Sequence, residues 1–495
     1  MKQLLLALAL LAVAKAYSQE VILEKAIPKD FEVNQIFQIN DNRSEDVVLF
    51  FHGNDSIKSY LFQDDLSLKD STTLTSLPPR YRSFIGSQFT DDSRCQLFFS
   101  TERRPFPEQP NLTNGFSSKP KFGLIIFSFL SKENTVKELE LSLTKEMYLE
   151  SFSSENGFII MTIKKKSDIL NFYCFDNSGK YEKVTVDCED LTFRDWDSSK
   201  TALYDLLAIK QVAAPDIKQL TFIDTKVPYS IKSTSSLSKL YKEGNKLTFM
   251  FDVNKDYTQV LTIDIQTWEK KLSGLLKPKV ESNAVGYSRK SNSFLYNGYF
   301  FGLTHLANQI KLEIKDYTTR RLVQSYLIKN NSPIEIKDSP IIIMDGPYVD
   351  YREVEKTSQF FRKLKDYNIG ISVRKYKNLG YQLNIGGSIP EGQVRIPLSS
   401  SLPASNYNIN PYDFGASNFA FTQTVGGRMT FIKCLFDSNF DNISGQTIES
   451  PFEKIRYYMD GKKRIASKFV LPYKNYLLLS TLTKQNHYSL IKFIK

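Results

Sequence analysis

A chain of 495 residues has room for several domains or for one large repeat architecture. Its hydrophobic fraction of 41% and aromatic fraction of 13%, mostly Phe and Tyr, exclude global disorder and favour strands over helices. The formal charge of +11 is dispersed, and no basic run exceeds three residues, as in Lys164-Lys165-Lys166, so no concentrated patch for nucleic acid is read and no such partner is expected.

The first element is not structural. Lys2 precedes an apolar run over residues 4–14, and small residues follow at Ala14, Ala16 and Ser18. A signal peptidase needs small side chains at the −1 and −3 positions of its cleft, and this segment offers them. Residues 1–18 are expected to be a cleavable signal peptide. Residues 19–495 are then exported, to a periplasmic, cell-surface or extracellular address. The run is shorter than the roughly 20 residues of a membrane-spanning helix. The strongest later apolar stretch, residues 122–130, reads as a buried strand, so no transmembrane segment is expected after cleavage.

Beyond that point the chain repeats a simple pattern. A short apolar run, such as Val47-Val48-Leu49-Phe50-Phe51, meets a polar loop and then a second apolar run. Units of this kind start near residues 47, 95, 157, 245, 297, 368, 418 and 475. One example is Phe158-Ile159-Ile160-Met161 followed by Ile169-Leu170-Asn171-Phe172-Tyr173. Another joins Leu247-Thr248-Phe249-Met250-Phe251 to Val260-Leu261-Thr262-Ile263. Residues 252–256 and 437–441 share an Asp/Asn-rich turn followed at the same offset by Thr-Ile-acid, which reads as two copies of one unit. Wider gaps at 157–245 and 297–368 imply insertions, and residues 205–212 in the first gap read as a short helix. The Pro-rich stretch 104–110 reads as an exposed loop.

Many of these runs are apolar at every position instead of alternating, so both faces of the strand must be buried. A unit recurring at about 50 residues with doubly buried strands is similar to the blade of a β-propeller, where each sheet is sandwiched between copies of itself. The resemblance is architectural and covers most of residues 25–495. It implies an all-β fold: one large propeller of about seven blades (six to eight), built from four-stranded antiparallel sheets, with loop insertions. An outer-membrane barrel would show alternating strands instead.

The chemistry is sparse. Leu49-Phe50-Phe51-His52-Gly53 resembles the oxyanion segment of α/β-hydrolases, but the G-x-S-x-G elbow is missing. His52, His305 and His487 sit in separate units and read as loop or rim residues. Cys95, Cys174, Cys188 and Cys434 include no C-x-x-C, and their pairing is left open. Residues 252–256 and 437–441 echo half of a calcium loop, but their later acids, Asp264 and Glu449, fall on strands at the wrong offset. No metal site and no cofactor are expected.

Two clusters have residue types suited to a polar ligand. Arg194, Asp195, Trp196 and Asp197 combine charge with one of only two Trp residues. Tyr348, Asp350, Tyr351 and Arg352 combine aromatics, an acid and a guanidinium. The expectation is a binding module that takes a protein or glycan partner at one propeller face. The alternative is a carbohydrate- or peptide-acting propeller hydrolase with two carboxylates near the central axis.

Overall fold

The computed structural model describes residues 19–28, 31–41, 43–78, 83–91, 93–101, 121–143, 145–155, 157–209, 217–280, 289–345, 350–377, 379–389, 428–460, 462 and 465–494. Residues 1–18, expected to be a signal peptide, the Pro-rich stretch 104–110 and the unit near 418 lie outside them. Among the described residues there are seven sheets of four or five strands. Their first strands, from the first sheet to the seventh, are Gln35–Asn40, Ser83–Asp91, Glu146–Ser154, Ser238–Glu243, Lys290–Tyr296, Asn368–Tyr376 and Ile465–Tyr473.

Burial grades across each sheet as the apolar pattern demands. The second strands Val47–His52, Gly157–Lys164, Lys246–Phe251 and Tyr476–Thr483 are buried almost throughout. The fourth strands Tyr181–Asp187 and Lys270–Leu276 are largely exposed and form the outer rim. A doubly buried strand needs a neighbour on each face of its sheet, and every sheet has one.

Phe37 of the first sheet stacks on Phe84 of the second at 4.5 Å, and Phe98 of the second on Phe158 of the third at 4.1 Å. Met161 and Phe172 of the third share one apolar layer with Leu240 and Phe249 of the fourth. Tyr241 meets Phe294 edge-on at 6.0 Å between the fourth and fifth, and Tyr299 meets Tyr381 at 6.3 Å between the fifth and sixth. Between the seventh and first sheets, Phe51 packs on Tyr488 at 4.9 Å. Such aromatic pairs add to the burial of their area.

The ring is closed by pairing the first and last described strands. Strand Gln19–Ala26 supplies the outer strand of the seventh sheet, antiparallel to His487–Ile494, with Gln19 opposite Phe493 and Ala26 opposite His487. The fold is an all-β propeller.

One junction departs from the pattern. Between the sixth and seventh sheets, helix Pro451–Asp460 intervenes. It meets the seventh sheet through Tyr458 on Phe493, with ring centroids 5.7 Å apart. It meets the sixth through Glu453, whose carboxylate accepts from the Lys433 ammonium at 2.8 Å. Ser450 and Glu453 cap its first turn reciprocally: Ser450 N–H donates to Glu453 Oε2 (2.6 Å) and Glu453 N–H donates to Ser450 Oγ (3.1 Å).

Several expectations need correction. The Asp/Asn turns at 252–256 and 437–441 are not equivalent: the first joins the second and third strands of its sheet, and the second follows the third strand. Glu449 lies outside any strand, so the local likeness reflects turn chemistry and not the repeat. The unit start near 368 is a first strand, whereas those at 47, 157 and 475 mark second strands. His52 and His305 are not rim residues, because both lie buried in second strands. The helix expected at 205–212 spans Leu203–Leu207. All four cysteines are unpaired thiols; Cys95, Cys188 and Cys434 are buried, and Cys174 stands level with Glu182 and not with Cys188.

His305 yields a pH test. Burial, then the nearby Lys290 charge, depress its imidazole from 6.5 to about 4. Above 6.5 both folded and unfolded chains hold it neutral. As pH falls from 6.5 towards 4, the unfolded chain takes the proton first and stability is lost, by at most about 3 kcal/mol. Urea unfolding between these pH values is expected to show that slope, and His305→Gln to flatten it.

Candidate functional site

The insertion between the third and fourth sheets does most to shape the middle of the ring. Strand Leu220–Ile223 pairs in parallel with Ser238–Glu243, on the inner side of the fourth sheet's first strand. The chain then turns through Tyr229, whose hydroxyl accepts from Asp224 N–H (2.8 Å), into the short helix Ile231–Thr234. That helix packs on the sixth sheet. Gly370 permits the approach, since a Cβ there would lie 2.9 Å from the Ser235 nitrogen. Ser235 Oγ and Ser388 Oγ are hydrogen-bonded at 2.7 Å. The chain's own segment 220–235 therefore runs from the fourth sheet to the sixth, where the hydrolase alternative would place substrate. In the seven first strands, Glu150 is the only carboxylate away from a strand end.

The first predicted cluster is a docked hairpin. Phe193–Arg194 pairs with Lys200–Thr201, and Asp195, Trp196 and Asp197 form its turn. Gln259 clasps Arg194 at both backbone groups, accepting its N–H (2.7 Å) and donating to its carbonyl (2.8 Å). Asn254 donates to the Asp195 carbonyl (2.8 Å) and to Ser198 Oγ (3.0 Å). Asp197 accepts from Ser199 N–H, and this hydrogen bonding holds its carboxyl below the usual range. The Arg194 guanidinium donates to the Ser198 carbonyl (3.1 Å). Most of the cluster's polar groups thus hold the turn together, while Trp196 remains 43% exposed at its tip.

The second cluster lies elsewhere. Asp350, Tyr351 and Arg352 sit on Asp350–Val354, the outermost strand of the sixth sheet, and Tyr348 lies outside the described residues. Tyr351 is exposed and donates to Glu353 (2.6 Å); burial of its hydroxyl and the Glu353 charge raise its pKa. The two clusters belong to different sheets, and no hydrogen bond joins them among the described residues.

Beneath the hairpin lies a buried ionic network. Asp252 is fully enclosed and accepts from Lys239 Nζ (3.1 Å), Thr258 Oγ1 (2.6 Å) and Ser293 N–H (2.9 Å). Lys277 Nζ donates to the Asp252 carbonyl and Ser291 Oγ, both at 2.7 Å. Burial opposes the Asp252 charge, but the two ammonium groups and the hydroxyl donors prevail and keep the carboxyl low. Burial lowers Lys277 to about 8. The network bonds the fourth sheet to the fifth, and its carboxylate is committed to the Lys239 ammonium and to hydroxyl and backbone donors.

A recess of ≈ 60 Å³ opens against the sixth sheet. Its floor is the sheet's polar face, where Ser372 stands opposite Asn384, and Arg374 opposite Gln382. Helix Pro451–Asp460 contributes Glu453 and Arg456, and the insertion contributes Tyr229 and Ser230. Sequence reasoning missed this site. Its signal was the alternation Tyr381-Gln382-Leu383-Asn384-Ile385 in a second strand, where other sheets carry apolar runs.

No family model and no curated protein matches the chain. Among solved structures, the Dos1 propeller aligns over 96% of this chain and 95% of its own, at 7% identity and a TM-score of 0.32. A chain from the S. cerevisiae assembly of dbp5 with nup159 and gle1 aligns over 97% and 94%, at 9% identity and a TM-score of 0.30. Prolyl oligopeptidase B from Galerina marginata aligns over 76% of this chain and 41% of its own, at 12% identity and a TM-score of 0.27. Resemblance at this level assigns no activity or partner.

Removing the central carboxylate tests the ionic network. Asp252→Ala leaves two buried ammonium groups uncompensated and is expected to cost about 3–5 kcal/mol in urea unfolding. A loss below about 1 kcal/mol would mean that water, not Asp252, satisfies them.

Proposed function

We propose that the chain is an exported propeller that acts as a binding module for a protein or glycan at one face of the ring. The fold supports an interaction role at a coarse level. The observation that carries the finer reading is Trp196, a large aromatic presented at 43% exposure on a turn fixed by Asn254 and Gln259. A rigid exposed Trp is the type of side chain that anchors protein interfaces and stacks on sugars, and little ordering entropy opposes its use. The apolar run at 4–14 with small residues after it supports export. The partner enters through contacts around the 193–201 hairpin.

The test uses the secreted chain. N-terminal sequencing is expected to find Gln19 or Tyr17 first. Glycan-array binding and cross-linking in the producing culture are expected to yield a partner whose capture falls about ten-fold or more in Trp196→Ala and persists in Trp196→Phe. Capture unchanged in Trp196→Ala would remove the hairpin from the interface.

A further inference from the structure

The recess on the sixth sheet has an imbalance of charge that the fold does not resolve. Arg456 is only 8% exposed, yet its side chain makes no ion pair or hydrogen bond among the described residues. Its guanidinium lies over the Tyr457 ring, 5.0 Å from the centroid, and the residue lines the recess. Arg374 lines the same recess, lies 5.7 Å from the Tyr376 ring centroid, and likewise has no carboxylate partner among the described residues. The one carboxylate in the lining is Glu453, and both of its oxygens are engaged, Oε1 by Lys433 and Oε2 by Ser450 N–H. Gln382 is engaged as well, exchanging two hydrogen bonds with the Ile448 backbone. What remains unpaired in the lining is two guanidinium groups and the Asn384 Oδ1, while Ser372 Oγ accepts from the Asn384 amide (3.2 Å) and Tyr376 stands beside them.

The Arg456 guanidinium is stabilised by the Tyr457 ring and is not sealed from water, so its donors stay open to a stronger acceptor. It is not paired with Glu453 one turn away. The capping box and Lys433 take that carboxylate first. The open position therefore has the chemistry of an oxyanion site: forked donors in a part-sealed pocket, matched to a carboxylate or a phosphate.

We propose that the recess between the sixth sheet and helix Pro451–Asp460 binds a single oxyanionic group, held by Arg374 and Arg456. Its enclosed part admits one carboxylate or phosphate group. This site is separate from the 193–201 hairpin, and its existence does not depend on the partner proposed there. The anion arrives free, as inorganic phosphate would, or as the acid group of a larger ligand such as a uronic acid.

The experiment is calorimetric titration of the full mature chain at constant ionic strength with three probes: inorganic phosphate, acetate and glucuronate. Saturable one-to-one binding of at least one probe is expected. Phosphate alone would identify a free-phosphate site, whereas acetate and glucuronate together would identify a carboxylate site. Arg456→Gln and Arg374→Gln are each expected to weaken binding about ten-fold or more, and Arg374→Lys to weaken it less. Arg352→Gln, on the outer rim, is expected to leave it unchanged. Circular dichroism establishes that each variant is folded, and a variant that is not folded is replaced by Arg456→Lys. No saturable binding of any probe at millimolar concentration, or binding equal in wild type and folded Arg456→Gln, overturns the proposal.

Discussion

A strand that is apolar at every position cannot be satisfied by one covering layer, and this constraint organises the molecule. Tyr476–Thr483 and Gly157–Lys164 hide almost every side chain, so each of their sheets must be covered twice. Stacking sheets in a line would leave two outer faces wet. Bending the stack into a ring removes them, and the last sheet then needs a link to the first. That link is covalent economy of a simple kind: the N-terminal strand Gln19–Ala26 completes a sheet whose other strands come from the C-terminus.

The exception to this rule is where the molecule offers chemistry. The sixth sheet is apolar towards the fifth, through Ile371, Val373, Leu383 and Ile385, but polar on its other face, through Ser372, Arg374, Gln382 and Asn384. A neighbouring sheet cannot pack closely on such a face. A helix and the returning insertion cover it instead, and polar groups fill part of the gap. The fourth and fifth sheets solve a similar problem differently: Asp252, Lys239 and Lys277 close their polar contact completely. One junction is saturated and the other is left with unpaired cations, and that difference separates a structural network from a binding recess.

Much of this architecture was legible in the sequence because the signal was redundant. Doubly apolar second strands recur in every sheet but the sixth, so errors at one start position did not obscure the class of fold. The candidate sites were less legible. Arg194 and Asp195 looked like ligand groups because charge and Trp occur together there, but three-dimensional docking turns most of their polar atoms inward to Gln259, Asn254 and their own turn. Arg374 and Arg456 lie 82 positions apart and meet only after the sixth sheet and its helix are in place. The shared Asp/Asn turns misled for a local reason: a turn that needs left-handed or capped backbone recruits Asp and Asn wherever it occurs.

The pairing of Gln19–Ala26 with His487–Ile494 holds the ring shut. Hydrogen–deuterium exchange of residues 19–495, compared with a chain lacking residues 19–26, tests this most directly. Closure by this strand predicts faster exchange along His487–Ile494 and in the Val47–His52 and Phe51–Tyr488 layer beside it, with the third and fourth sheets little changed. Identical protection of His487–Ile494 in the two chains would contradict it.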